Sequence, residues 1–346
     1  MNQTKRNNKT GLWLSLSFLL LAAASAFVAY KVIGPNTGDM QKGEYLYIPT
    51  GASYMLVLND LVEGGYIDDA ASFDIIANRF EYPNKVKAGK YKITPGMSNL
   101  DMLRMLRNGK QEPVKLVINK FRTKGDFVKF VDEKMEPDAE EITALLKDTV
   151  FLSTYGLDTH TALVPIIPDT YEFYWNTNAK KIYERLAEYS KKFWTKERLA
   201  LADSQSLTPT QVMIIASIVE EETNKADEKP TVASVYINRL KKNMKLQADP
   251  TVKFALNDFA IKRVLEGHLA YDSPYNTYMY AGLPPGPINT PSKSSINAVL
   301  NAPKTNYLYF CAKEDFSGYH TFATNYTEHM KNARAYQKAL NEQGIR

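Results

Sequence analysis

Cysteine and histidine are scarce in this chain of 346 residues, which has one cysteine, Cys311, and four histidines. A single cysteine excludes an intramolecular disulfide, so any part that folds outside the cytoplasm must be stabilised by its own core. The histidines are scattered, and none stands at the ligand spacing of a zinc site. We therefore expect neither a metal site nor a bound cofactor.

An excess of either sign of charge is also lacking, because 43 Lys and Arg residues face 38 Asp and Glu residues, a formal net charge of +5. Lys5, Arg6 and Lys9 supply three of these charges, since the first ten residues contain no acid. The remainder is too close to neutral to favour nucleic acid as a partner. A hydrophobic content of 44% allows a substantial core, and the length suits about two domains.

Long hydrophobic runs are absent after the N-terminus, where Gly11 to Tyr30 is uncharged and rich in Leu, Ala, Phe and Val. About twenty helical residues cross the roughly 30 Å hydrocarbon layer, and the basic residues before them favour a cytoplasmic N-terminus. We predict a cytoplasmic tail at residues 1–10 and one transmembrane helix at residues 11–32, with the rest of the chain outside. The alternative is a cleaved signal peptide, since residues 22–29 are mostly small.

An internal repeat follows a short linker at residues 34–38. The recurring positions are Ile48, Gly51, Ser53, Leu58, Leu61 and Gly64 in the first copy and Ile93, Gly96, Ser98, Leu103, Leu106 and Gly109 in the second. Each copy predicts a short strand, a glycine turn, and a helix that begins at a serine N-cap and ends at a glycine. We expect a small α+β module over residues 43–111; chance similarity of two such units is the alternative.

Further patterns predict a mixed fold of helices and strands, of the α+β class. Val114 to Asn119 is typical of a strand, and Phe121 to Leu146 is mainly helical. Pro165 to Trp175 is predicted to be an aromatic loop. Ala179 to Asp203 is predicted to form one long helix with Trp194 on its buried side.

The most informative stretch begins at Thr208, which with Pro209 and Gln211 predicts a helix start with a capping box. Val212 to Val219 is apolar on every side, so this helix should be buried all round. It ends in the three glutamates Glu220, Glu221 and Glu222.

Three carboxylates at the end of a buried helix are energetically unfavourable. The negative end of the helix dipole costs a carboxylate about 0.3–1 kcal/mol, and burial raises its pKa further. A glutamate kept neutral near pH 7 is what a general acid requires. The alternative, which this stretch alone favours, is that the helix surfaces there and all three are solvated.

Polar groups on loops follow this helix. A further helix is predicted at residues 230–242, with Asn243 at its left-handed end. Asp249, followed by a proline, suits an ordinary helix N-cap, and stiff loops follow at residues 275–278 and 282–288. Amide, hydroxyl and aromatic groups on loops are typical of sugar recognition, although each segment alone also fits turn chemistry or core packing.

In combination and in this order, these segments closely resemble the endolytic murein transglycosylases, the YceG-like family. The resemblance rests on Ala216–Thr223, Val232–Leu240, Met244–Val252, Tyr275–Tyr278 and Gly282–Ile288, with Pro168–Tyr171, Tyr307–Phe310 and Gly318–Phe322. It is strong over residues 160–325 and weak over the first hundred. Ala248 stands where the family usually has serine, and Asn243 where glycine is common.

The resemblance implies a LysM-like, glycan-binding module at residues 43–111 and a mixed α/β catalytic domain at residues 112–346. It implies cleavage of the bond between N-acetylmuramic acid and N-acetylglucosamine without added water, which leaves 1,6-anhydro ends. Glu220 matches the family's catalytic residue and would act first as acid and then as base. The implied partners are peptidoglycan strands, the cytoplasmic membrane and cell-wall synthases.

Seven further residues enter the predicted site. Substrate binding is assigned to Gln247, Asn276, Tyr278 and Asn238, and supporting roles to Glu222, Arg239 and Asp249. Glu221 or Glu222 is expected to orient Arg239. Two alternatives remain: a conventional glycoside hydrolase, which would need a second carboxylate such as Asp249, and a non-catalytic scaffold of the cell-wall machinery.

Overall fold

The computed structural model describes residues 9–38 and 43–344. The chain divides into two compact units, with the division after Val114, and the short segment Glu172–Thr177 belongs to the first unit.

The first unit begins with helix α1, Lys9–Ile33. Within the described residues, Gly11–Ile33 is the one helical stretch long and apolar enough to cross a membrane, and its most apolar part is not buried in the protein. This is compatible with the predicted single-pass anchor. The predicted cytoplasmic tail, with Lys5 and Arg6, lies outside the described residues apart from its last two positions.

The rest of this unit is a small α+β module. Its elements are β1 (Glu44–Ile48), α2 (Tyr54–Glu63), α3 (Ala70–Arg79), a 3-10 turn (Tyr82–Asn84), β2 (Gly89–Ile93) and α4 (Asn99–Asn108). The strands are antiparallel, with Glu44 opposite Ile93. Alternate strand residues, among them Leu46 and Tyr91, are buried against the helices, as the two-residue period of a strand requires.

The local structure predicted for the repeat is confirmed. Ser53 caps α2 and Ser98 caps α4, where its hydroxyl accepts a hydrogen bond from the Asp101 N–H at 3.1 Å. Gly64 and Gly109 end the two helices, and Gly109 does so at φ +71°, a backbone conformation that favours glycine.

The second unit is mainly helical. Its elements, with the strands that border it, are β3 (Val114–Ile118), α5 (Lys124–Asp132), α6 (Ala139–Lys147), α7 (Thr149–Ser153), β4 (Asp169–Phe173), α8 (Ala179–Phe193), α9 (Lys196–Ser204), α10 (Pro209–Glu222), α11 (Lys229–Lys241), α12 (Asp249–Ala255), α13 (Glu266–Leu269), α14 (Lys293–Leu300), β5 (Tyr309–Ala312), β6 (His320–Ala323) and α15 (Tyr326–Glu342). Strand β3 pairs with β4, and β5 pairs with β6 in antiparallel fashion.

Two predictions from the sequence are wrong in detail. The aromatic loop at residues 165–175 contains strand β4, whose alternate residues Tyr171 and Phe173 are buried. The single long helix is two helices, α8 and α9, because Thr195 starts a new helix with its hydroxyl as N-cap. Phe193 is buried at the end of α8, and its neighbour Trp194 is only half-buried.

Helix α10 is buried on all sides over its apolar body, as predicted. Thr208 and Gln211 form the expected capping box, in which the Gln211 side chain accepts a hydrogen bond from the Thr208 N–H at 2.8 Å. Every residue from Val212 to Val219 is buried, against helices α9, α11, α12 and α14. The helix thus carries Glu220, Glu221 and Glu222 out of the core at its C-terminal end.

Candidate active site

The three glutamates at the end of α10 lie in three different environments. Successive residues on a helix point about 100° apart. Glu220 accordingly contacts α14 and the start of α11, Glu221 contacts the segment before α5, and Glu222 contacts the middle of α11.

Glu220 is anchored through one carboxylate oxygen. Its Oε2 accepts hydrogen bonds from the hydroxyls of Ser292, at 2.6 Å, and Ser295, and from Lys229 Nζ at 3.2 Å. Lys229 also donates to Ser295 Oγ at 2.8 Å. The side chains of Glu220 and Lys229 are only 17% and 9% exposed. In the part of the chain that the structure describes, Glu220 Oε1 takes no hydrogen bond, so this oxygen is available to a ligand.

The pKa of Glu220 is lowered, which contradicts the raised value expected from burial and the helix dipole. Burial is the largest single influence and does act to raise the pKa. The hydroxyls of Ser292 and Ser295 and the charge of Lys229 together outweigh it, because all three stabilise the charged form. The lowered pKa favours the carboxylate form of Glu220 at neutral pH.

Glu222 has the raised pKa instead. Loss of water around its carboxyl group is the main cause and raises the pKa to about 7, while a hydrogen bond from Tyr236 partly opposes this effect and the charge of Asp249 adds to it. The Tyr236 hydroxyl donates to Glu222 Oε1 at 2.6 Å. Tyr236 is buried in the core and fixes the Glu222 side chain against α11.

Glu221 is an ion-paired surface residue. It lies 2.6 Å from Lys120 Nζ and 3.6 Å from Arg122, and it accepts a hydrogen bond from Asn289 Nδ2 at 3.1 Å. These contacts link the end of α10 to the segments before α5 and α14.

Arg239 is not oriented by a glutamate, and that prediction is wrong. Its guanidinium donates to the backbone carbonyls of Leu308, at 2.6 Å, and Leu246, at 2.8 Å, and reaches Gln247 Oε1 at 3.3 Å. The buried cation is thus satisfied by carbonyl oxygens, and it holds the turn before α12 against β5.

Asp249 is not an N-cap, also contrary to prediction. Ala248 is the N-cap residue of α12, because Gln247 adopts φ +49° and turns the chain one residue earlier. The Asp249 carboxylate is left free of the capping role and accepts a hydrogen bond from the Tyr278 hydroxyl at 2.6 Å. Tyr278 is half-buried and Gln247 is exposed.

Both predicted asparagines hold loops in place through their side-chain amides. Asn276 is 0% exposed and donates to the carbonyls of Leu269 and Tyr271 at 2.9 and 2.8 Å. Asn238 is half-buried and donates to the carbonyls of Thr305 and Tyr307, each at 2.9 Å. The prediction that Asn276 contacts a sugar directly fails on its burial.

Sequence reasoning missed Lys229, Ser292 and Ser295. Ser292 is the N-cap of α14, a role that its sequence signals, but no local pattern connects it to a glutamate 72 positions earlier. Among the described residues no group of three or more His, Cys, Asp or Glu side chains is arranged to hold a metal ion. The carboxyl groups at this end of α10 can take part in proton transfer.

The chain matches a known protein family. The sequence profile of the YceG-like family matches residues 46–335, which is most of the chain, and the protein therefore belongs to the YceG-like family. A crystal structure of a YceG-like protein from Listeria monocytogenes superposes with a TM-score of 0.54 at 27% identity, covering 84% of this chain and 99% of that one.

Several similar curated proteins carry the name endolytic murein transglycosylase. The protein from Streptococcus pneumoniae serotype 2 (strain D39) is 28% identical over 352 residues, covering 92% of this chain and 63% of its own length. The protein from Bacillus subtilis strain 168 is 26% identical over 339 residues, covering 93% of both chains. This chain thus spans less than two thirds of the length of the S. pneumoniae relative.

Proposed function

We propose that this protein is a lytic transglycosylase, anchored in the cytoplasmic membrane, which cuts peptidoglycan glycan strands between N-acetylmuramic acid and N-acetylglucosamine. Membership of the YceG-like family and the name shared by two relatives support this class of reaction. The observation that carries the proposal is Glu220, a partly buried carboxylate with one oxygen anchored by three donors and the other oxygen free.

The first step of this reaction needs Glu220 in its protonated form. Binding of a sugar chain would remove water from the exposed part of Glu220, and desolvation is already the largest influence that raises its pKa. The bound complex therefore favours the neutral acid more than the free enzyme does. The proton passes from Oε1 to the glycosidic oxygen, and the bond to C1 breaks through an oxocarbenium-like transition state. Lys229 and the two serines stabilise the carboxylate that remains.

The second step returns the proton. The Glu220 carboxylate takes the proton of the muramic acid C6 hydroxyl while that oxygen bonds to C1, which gives the 1,6-anhydro end and restores the neutral acid. The substrate's own N-acetyl oxygen stabilises the positive charge between the two steps. One carboxylate is then sufficient, because the nucleophile belongs to the substrate.

The remaining predicted residues have three different roles under this proposal. Tyr278 and Gln247 offer polar groups that a sugar can reach, since neither is buried. Asn276, Asn238 and Arg239 keep the surrounding loops in place. Glu222 supports the end of α10, where its hydrogen bond to Tyr236 joins two core helices.

The first unit supplies attachment in this proposal. Helix α1 crosses the membrane with its N-terminus in the cytoplasm and the catalytic domain outside. The module that follows is LysM-like and binds glycan, as the family resemblance implies. Contact with cell-wall synthases remains a prediction.

A hydrolase on the same polymer is the second candidate, and one observation favours it. Asp249 does not cap its helix and is held instead by Tyr278, so a second carboxylate is free to activate water. Product chemistry separates the two candidates. Lytic cleavage of purified glycan strands gives ends that weigh one water less than hydrolytic ends and contain no oxygen from solvent.

A further inference from the structure

A cavity between helix α1 and helix α3 is not used by the proposed reaction. Its volume is about 460 Å³, and its apolar lining consists of Phe27, Val28, Val32, Ala71, Ile75 and Ile76. Half of these residues belong to the stretch compatible with a membrane span. One side of the cavity is therefore formed by the helix that is compatible with a membrane span.

Polar contacts fix α3 against the end of α1. Lys31 Nζ lies 2.6 Å from the Asp69 carboxylate, and the Asn99 side chain donates to the Lys31 carbonyl at 2.9 Å. Asn36 accepts a hydrogen bond from the Asp69 N–H at 2.8 Å and donates to Asn99 at 2.6 Å, and both asparagines are buried. The module is thus attached to α1 by a network of hydrogen bonds as well as by the polypeptide chain itself.

The position of the cavity relative to the membrane follows from the charge pattern of α1. The uncharged stretch from Gly11 to Tyr30 has the length of the hydrocarbon layer, so Lys31 lies at its outer boundary. Phe27 and Val28 lie within one turn of that boundary on the hydrocarbon side. Ile75, which lines the same cavity, is 70% exposed in the described chain, as a residue in contact with lipid would be.

We propose that this cavity holds an acyl chain of the surrounding bilayer lipid and that the Ile75 face of α3 lies in the interfacial region on the outer side of the cytoplasmic membrane. Apolar helix faces bury about 5–10 Å into this region of a bilayer. This inference rests on the proposed membrane anchoring. Its consequence is that the module has a fixed orientation on the membrane, because two helices, and not α1 alone, contact lipid.

Spin labelling of the full chain in lipid nanodiscs of phosphatidylglycerol and phosphatidylethanolamine tests this proposal. In a Cys311→Ala background, single cysteines replace Ile75, Met55 or Leu20, and each is labelled with a nitroxide. Met55 is the matched control, since it is 60% exposed on α2, which does not line the cavity. Leu20 reports on the span itself. Relaxation by oxygen, which concentrates in lipid, is compared with relaxation by a water-soluble nickel chelate.

The label at position 75 should favour oxygen over the nickel chelate several-fold, as the label at position 20 does, while the label at position 55 favours the chelate. A label at 75 that matches the one at 55, or that neither reagent reaches, overturns the lipid contact. A label at 20 that the nickel chelate reaches overturns the membrane anchor. The two failures are thus distinct.

Discussion

Lys229 should control the protonation of Glu220, and Lys229→Met tests this directly. The ammonium group lies 3.2 Å from Glu220 Oε2 in a place where both side chains are largely buried. Methionine keeps most of the side-chain volume but removes the charge. The two serine hydroxyls then remain as the donors to Glu220.

Two magnitudes follow from this geometry. Loss of a neighbouring opposite charge typically raises a carboxyl pKa by about 1–3 units. Removing one partner of a buried ion pair costs about 3–5 kcal/mol of unfolding free energy, and we expect about 3 kcal/mol here because Glu220 can escape by taking up a proton.

The pH dependence has a definite sign. The folded-state pKa of Glu220 is below its ordinary value of 4.5, so in the wild type this group contributes stability above about pH 4.5 and loses it as the pH falls through the folded-state pKa. In Lys229→Met the folded-state pKa is higher, so the variant should be much less stable than wild type at pH 7, and the difference should be smaller at pH 4.

The assays are urea unfolding at pH 7 and pH 4 and the pH dependence of kcat on purified glycan strands. Because the acid form of Glu220 begins the reaction, the alkaline limb of the kcat profile should move upward by about 1–3 pH units. Lys241→Met, an exposed lysine on the same helix, is the control and should change neither measurement. Adding Glu220→Gln to Lys229→Met should restore stability at pH 7. An unchanged kcat profile, or an equal loss of stability at both pH values, would refute this role of Lys229.

Local patterns in the sequence were sufficient to predict α10. Its capping box involves residues three positions apart, and its burial shows in an uninterrupted apolar run. The strands and helices of the repeat were predictable for the same reason. Family resemblance then identified Glu220 as the candidate acid.

The electrostatic environment of the glutamates was not predictable in this way. The partners of Glu220 come 9, 72 and 75 positions later in the chain, and only tertiary packing brings them together. Burial has the same sign at Glu220 and Glu222, so the sequence did not indicate which of them keeps its charge. Asp249 shows the same limitation, because the unusual backbone of Gln247 moved the helix start by one residue.

Three further predictions concern other residues. Glu222→Gln should leave kcat within about tenfold of wild type and should abolish the loss of stability, up to about 3 kcal/mol, that wild type undergoes as the pH rises from 4.5 to about 7; in urea unfolding the variant should therefore gain on wild type at pH 8 relative to pH 5, and equal differences at both pH values would contradict this. Tyr278→Phe, which loses the hydrogen bond to Asp249, should raise KM by about 2–10-fold in steady-state kinetics, whereas an unchanged KM would exclude Tyr278 from substrate binding. Tyr47→Ala removes an exposed ring that packs edge-on against Trp175. In the Glu220→Gln background this change should weaken retention on peptidoglycan several-fold in a sedimentation assay. Full retention would exclude Tyr47 as a glycan contact of the module.

The most direct test of the proposed function is digestion of purified, uncrosslinked glycan strands in water enriched in oxygen-18, followed by mass analysis of the new ends. Wild type should produce 1,6-anhydromuramic ends, one water lighter than hydrolytic ends and free of the isotope. Glu220→Gln should produce no new ends while remaining folded by circular dichroism, because an amide cannot donate and recover the proton. Reducing ends that carry oxygen-18 would establish hydrolysis and direct attention to Asp249, and full activity of Glu220→Gln would contradict the assignment of Glu220 altogether.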